Sequence, residues 1–135
     1  MCNHRPHRMI LTSRQYFHTS IQEETMEQCT DPITNSLKLI GGKWKISIIY
    51  NLRKGPTRFG ELKRILAPIT QQMLTKQLRE MERDRLIKRN VYEVVPPKVE
   101  YSLTEFGSSL GPVLDSWCKW GNENQRVMQA IFEEH

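Results

Sequence analysis

Gln71, Gln72, Thr75, Lys76, Arg79 and Arg83 fall on one side of a helical wheel, and Leu74, Leu78 and Met81 fall on the other. The polar side carries amide, hydroxyl, ammonium and guanidinium groups. None of these residue types in this pattern makes or breaks covalent bonds. They donate hydrogen bonds and neutralise anions, which is the chemistry of recognition. Arg and Gln match base edges in a major groove, and Lys and Arg match phosphate. A solvated helix face of any protein has similar residues, so the surrounding elements decide its meaning.

Those elements are legible in order. Asp31-Pro32 starts a first helix carrying Ile33, Leu37 and Ile40, and Gly41-Gly42 ends it. A second helix is predicted from about Lys43 to Lys54, apolar around most of its circumference, with Trp44, Ile48 and Leu52 on one face. Gly55-Pro56 stops it. A third spans about Arg58 to Leu66, with Phe59, Leu62 and Leu66 inward. Ala67-Pro68-Ile69 breaks the chain, and Thr70 caps the helix with the polar face described above, which runs to about Asp84. The period then changes. Ile87, Val91 and Val95 precede Pro96-Pro97-Lys98, and Val99, Tyr101 and Leu103 alternate with polar residues, which predicts a hairpin with a basic, proline-stiffened tip. Thr104 caps a last helical region with Phe106, Leu110, Leu114, Trp117 and Gly121 on its stripe. Gly107, Gly111 and Pro112 favour a kink or break in its early turns. Val127, Met128, Ile131 and Phe132 form a further amphipathic segment.

Two helices joined by a tight turn and followed by a hairpin describe a winged helix-turn-helix. The predicted fold is therefore mainly α with a small β-hairpin wing. Thr70, Gln71, Gln72, Thr75, Lys76 and Arg79 are the expected groove contacts. Arg89 and Lys98 on the wing, and Arg58 with Lys63 before the turn, are the expected phosphate contacts. Trp44, Phe59, Leu62, Leu74, Leu78 and Leu86 are the expected core.

Charge agrees with a polyanionic partner. Of a formal net charge of +5 over 135 residues, positions 43–98 hold 14 Lys and Arg against 5 Asp and Glu, a local +9, and the remainder sums to −4. An enzyme is not expected. Histidines occur only at His4, His7, His18 and His135, and no Gly-rich phosphate loop, nucleophile elbow or metal-ligand pair lies in the region expected to be ordered. Cys2, His4 and His7 make half a metal site without an evident fourth ligand, so neither metal nor cofactor is expected. Three widely spaced cysteines, Cys2, Cys29 and Cys118, suit a reducing compartment better than a disulfide scaffold. No apolar run of spanning length and no secretory h-region is present. A cytoplasmic protein without a membrane partner is expected.

At this level the sequence resembles the HxlR family of bacterial and archaeal transcriptional regulators, relatives of the MarR type. The resemblance rests on Leu37-x-x-Ile40-Gly41-Gly42-Lys43-Trp44-Lys45, Gly55-Pro56-x-Arg58-Phe59-x-Glu61-Leu62 and Ile69-x-Gln71-x-Met73-Leu74-x-x-Gln77-Leu78. It continues through Pro96-Pro97-x-Val99-Glu100-Tyr101-x-Leu103-Thr104-x-x-Gly107 and Pro112-Val113-Leu114, covering about residues 31–121. It implies a non-enzymatic homodimer that binds a near-palindromic operator in double-stranded DNA. The dimer candidates are Ile33 and Leu37 of the first helix with Leu110, Leu114, Trp117 and Trp120 of the last. A small core that grows by self-association fits this expectation.

Many members of the family carry a cysteine at the start of the first helix, and in some it senses oxidants or electrophiles. Cys29 is the corresponding candidate redox sensor, placed where a helix N-terminus stabilises a thiolate. Counted back from Gly41-Gly42, the usual cysteine position falls on Asp31, so the register departs from the family pattern. The effector itself is open. Cys118, on the apolar last helix, is expected to be buried. Three segments follow: 1–28, an N-terminal arm or an early start with Met9 and Met26 as alternatives; 29–121, the winged domain; and 122–135, a helical extension for dimerisation. The competing function is a winged helix used for protein–protein contact. The local +9 favours nucleic acid.

Overall fold

The computed structural model of the protein describes residues 31–135. Residues 31–42 and residues 43–135 belong to separate compact units. The expectations that fall on Cys2, His4, His7, Cys29 and the arm 1–28 lie outside the described residues.

In the first unit, α1 spans Pro32–Ile40. Pro32 occupies the first turn, where its missing N–H costs no hydrogen bond, and the Asp31 carboxylate accepts from the Thr34 hydroxyl at 3.2 Å. Gly41 ends the helix by donating its N–H to the Leu37 carbonyl at 2.8 Å. A Cβ on Gly41 would lie 2.2 Å from that carbonyl oxygen, so glycine is required by close approach. Ile33 and Leu37 are exposed, and Ile40 is buried.

The second unit holds α2 (Lys45–Leu52), β1 (Thr57–Arg58), α3 (Phe59–Ile65), α4 (Gln71–Arg83), β2 (Ile87–Tyr92), β3 (Lys98–Leu103), α5 (Glu105–Ser108), α6 (Gly111–Glu123) and α7 (Gln125–Glu134). Its core is built from Ile48, Ile49 and Leu52 of α2, Leu62 of α3, Leu74, Leu78 and Met81 of α4, and Leu86 and Ile87. Each α4 residue of this set belongs to the apolar stripe seen in the sequence. Trp44 and Phe59 are half-buried rather than central, and Lys43 places its ammonium 4.7 Å from the centre of the Trp44 ring.

The sheet has three antiparallel strands in the order β1-β3-β2. Tyr92 opposes Lys98 at the tip end of the hairpin, and Ile87 opposes Leu103 at its base. The sequence leads to a two-stranded hairpin only. Arg58, expected at the start of a helix, instead pairs with Glu100, and Thr57 before it pairs with Tyr101, as β1. Two residues carry no periodicity of their own, and only the adjacent strand edge makes them extended. With a strand on each side, β3 buries both Tyr101 and Ser102, which point to opposite faces.

The last helical region is broken, as the glycines and Pro112 suggest. Gly107 has a second function: a Cβ there would lie 2.1 Å from the Leu86 carbonyl oxygen. Thr104 caps α5 by accepting from the Gly107 N–H at 3.0 Å. Its backbone N–H donates to the Leu86 carbonyl at 3.1 Å, which ties the end of the hairpin to its beginning.

Candidate nucleic-acid interface

The polar helix is α4, and its start is fixed locally. Thr70 has extended backbone, and its hydroxyl oxygen accepts from the Met73 N–H at 3.1 Å. This satisfies one of the open donors of the first turn. The same hydroxyl keeps its hydrogen for a donor role at the helix N-terminus. The end of α4 is fixed as well. Arg85 adopts a left-handed conformation, φ 62°, with its N–H on the Glu82 carbonyl, and the Leu86 N–H reaches the Met81 carbonyl at 2.9 Å. These two bonds make a Schellman stop, with Arg where glycine is usual.

Gln71, Gln72, Thr75, Lys76, Arg79, Glu80 and Arg83 line an open concave surface on α4. A second groove lies between α4 and the hairpin. Gln71, Thr75, Arg79 and Glu82 face Arg89 of β2 and Val99 and Tyr101 of β3 across it. The structure therefore brings Arg79 and Arg89 to one groove, although they are ten positions apart. Lys76, Arg79 and Arg89 enter no salt bridge among the described residues, so their charges remain available to an anion. Arg83 reaches Asp84 at 3.3 Å on the exposed surface.

Two wing expectations change. Lys98 does not project freely: its Nζ lies 2.7 Å from Glu100 Oε1 and 5.1 Å from the centre of the Tyr92 ring. The Lys98 ammonium holds the Glu100 carboxyl below its ordinary value by hydrogen bonding, and Arg58, its register partner across β1, adds to the effect. The tip itself is apolar rather than basic. Val95 is fully exposed, Val94 half so, and the hairpin cations sit on the strands. Arg58 is exposed on β1, and Lys63 is exposed on α3.

Sequence reasoning missed Lys45. It is the one charged side chain buried among the described residues, and its Nζ lies 2.9 Å from Glu80 Oε2 on α4. A single lysine beside Trp44 carries no sequence signal for such a partner 35 positions away. A further pair, Arg53 with Asp115 at 2.8 Å, joins α2 to α6.

The dimer candidates divide. Trp117 and Trp120 are exposed, at 53% and 56%, and Val113, Val127, Ile131 and Phe132 extend an exposed apolar surface over α6 and α7. Leu110 is half-buried. Leu114 is only 3% exposed, so it belongs to the core of its own unit and not to an open seam. Cys118 is exposed, against the expectation of a buried thiol. With Leu114 and Trp117 it lines an open groove between α6 and Ile46, Ser47, Tyr50 and Asn51 of α2. No helix among the described residues is long and apolar enough to cross a membrane.

A family model described as HxlR-like helix-turn-helix matches residues 39–129. The HTH-type transcriptional regulator YybR of Bacillus subtilis is 50% identical over 99 residues, which cover 73% of this chain and 79% of the relative. YtcD of the same organism is 56% identical over 98 residues, covering 72% and 78%. Among solved structures, the redox regulator HypR in its reduced form is similar with a TM-score of 0.70 and 49% identity, over 74% of this chain and 99% of that one. With the capped polar helix, the hairpin beside it and these matches together, the chain belongs to the HxlR-like helix-turn-helix family of DNA-binding transcriptional regulators.

Proposed function

We propose that the protein acts in the cytoplasm as a homodimer that reads a near-palindromic operator with two copies of α4. The observation that carries this reading is the groove shared by Gln71, Thr75 and Arg79 of α4 with Arg89 of the wing. One helix and one hairpin then address one stretch of duplex: α4 enters the major groove, and the wing strand reaches the backbone beside it. Thr70, Gln71, Gln72, Thr75, Lys76 and Arg79 supply groove contacts. Arg89 and Arg58 supply phosphate contacts, and Lys98 joins them when it leaves Glu100. A second copy covers the apolar surface of α6 and α7 around Trp117 and Trp120. Ile33 and Leu37 of α1 offer another apolar stripe for self-association. Two-fold pairing gives the half-site spacing that a palindrome requires. Regulation follows by steric repression or by recruitment of polymerase. No catalytic step is part of this reading.

The likeness to a redox regulator supports an oxidant or electrophile as the signal, with Cys29 as the candidate thiol. Diamide should then weaken operator binding by the wild type and leave a Cys29→Ser variant unaffected.

Binding is tested with labelled duplex from upstream of the protein's own gene against a scrambled duplex, across a salt series. Tight binding to the native duplex alone, weakening with salt, is expected. The double variant Lys76→Ala/Arg79→Ala should bind the native duplex at least about 30-fold more weakly, at about 1–3 kcal/mol for each of the two lost contacts. Unchanged affinity in that variant removes α4 from the interface.

A further inference from the structure

The Lys45–Glu80 pair stands apart from the other salt bridges among the described residues. Its side chains are 11% and 27% exposed, and it links α2 to α4, the helix assigned to the groove. Burying an ammonium is costly, and a well-packed apolar pair of similar volume is often at least as stable. Stability alone therefore does not account for a lysine at this position.

Its place on α4 suggests what it does. Leu74, Leu78 and Met81 occupy an arc of the helix only about 60° wide. Apolar contact is non-directional, so this narrow stripe fixes the depth of α4 and its axis but restrains its roll weakly. Glu80 lies roughly 125° around the helix from the centre of the stripe and roughly 70° from the centre of the face formed by Gln72, Lys76, Arg79 and Arg83. It acts as an outrigger, and a charge-assisted hydrogen bond of 2.9 Å is directional. A roll of ~20° displaces atoms on the helix surface by about 2 Å, which exceeds the tolerance of a hydrogen bond to a base edge.

We infer that Lys45 is a positioning residue for sequence recognition: through Glu80 it sets the roll of α4, and thereby which side chains meet the base edges. The inference rests on the reading of α4 as the groove helix. Phosphate contacts tolerate a roll because long Lys and Arg side chains follow a phosphate, whereas bidentate base contacts do not. Lys45 and Glu80 thus govern discrimination more than affinity for DNA in general.

The test uses the full chain with a duplex enriched from a random pool by the wild type, beside a scrambled duplex of equal composition. Glu80→Gln removes the charge and keeps the shape. Lys45→Met/Glu80→Leu replaces the pair by apolar side chains and keeps the measurement possible if Glu80→Gln fails to fold. In the double variant the melting temperature should equal or exceed that of the wild type. The ratio of affinities for enriched over scrambled duplex should fall about 10-fold, with scrambled binding and its salt slope unchanged. A ratio equal to that of the wild type overturns the inference. So does a fall in both affinities in step with a lowered melting temperature, which marks a purely structural pair. An equal rise in both affinities also overturns it, because Glu80 would then act only by repelling phosphate. Failure of the wild type to enrich any duplex overturns the reading of α4 itself, a result distinct from the others.

Discussion

Helix α4 and the α6–α7 segment are both amphipathic, yet they dispose of their apolar sides in opposite ways. In α4 the stripe of Leu74, Leu78 and Met81 is closed within its own unit, and the polar face is left to solvent. In α6 only Leu114 reaches the core, and Trp117, Trp120 and the α7 residues Ile131 and Phe132 stay exposed, Phe132 at 73%. One surface is finished toward the protein and open toward an anion. The other is unfinished toward apolar matter. Exposed apolar side chains of this kind are what the proposed second copy would cover. The same periodicity therefore serves two ends, and what distinguishes them is whether a neighbouring element of the same chain covers the stripe.

The contrast can be broken most severely on the closed side. Leu78→Ala opens a cavity beneath α4 and should lower stability by about 2–5 kcal/mol, read from denaturant midpoints at constant slope. The equivalent change on the open side should leave the folded monomer intact. Trp117→Glu/Trp120→Glu is expected to give a monomer in sedimentation, with melting temperature little changed at high dilution and operator affinity lowered about 100-fold. A variant that remains dimeric places the interface elsewhere. A gentler change sharpens the picture of α4. Arg85 holds a left-handed conformation that glycine adopts without strain, so Arg85→Gly should raise stability by about 0.5–1 kcal/mol in thermal unfolding.

The smallest effect is electrostatic. Hydrogen bonds from Lys45, Lys98 and Arg53 hold the carboxyls of Glu80, Glu100 and Asp115 below their ordinary values. A carboxyl depressed in the folded state contributes stability above its unfolded pKa and loses it as pH falls through the folded one. Stability should therefore decline only in acid, below the ordinary carboxylate range. Asp115→Asn and Glu100→Gln should each flatten that decline in denaturation curves taken at successive pH values, Glu100→Gln on the wing side and Asp115→Asn on the α6 side.

Much of the fold is written in local signals. Pro32 and Gly41 bound α1, and Thr70 and Thr104 cap α4 and α5, because a cap or a proline acts within one helical turn. The polar face of α4 follows from the 3.6-residue period alone. The site was less legible where it depends on which side chains the folded backbone brings face to face. Lys98 reads as a free cation until Glu100 is seen beside it on the strand. Leu114 and Trp117 read alike on one stripe, and only packing separates the buried one from the exposed one. Cys118 reads as a buried thiol for the same reason.

The sequence by itself determined the helix caps, the period of each stripe, the basic middle of the chain and the membership of the family. Each depends on residues within a few turns of one another, or on composition. The tertiary structure decided the third strand, the pairing of Lys45 with Glu80, the meeting of Arg79 with Arg89 and the side of α6 left open. These arise from contacts between distant segments, where the geometry of packing chooses among partners that local propensity leaves equivalent.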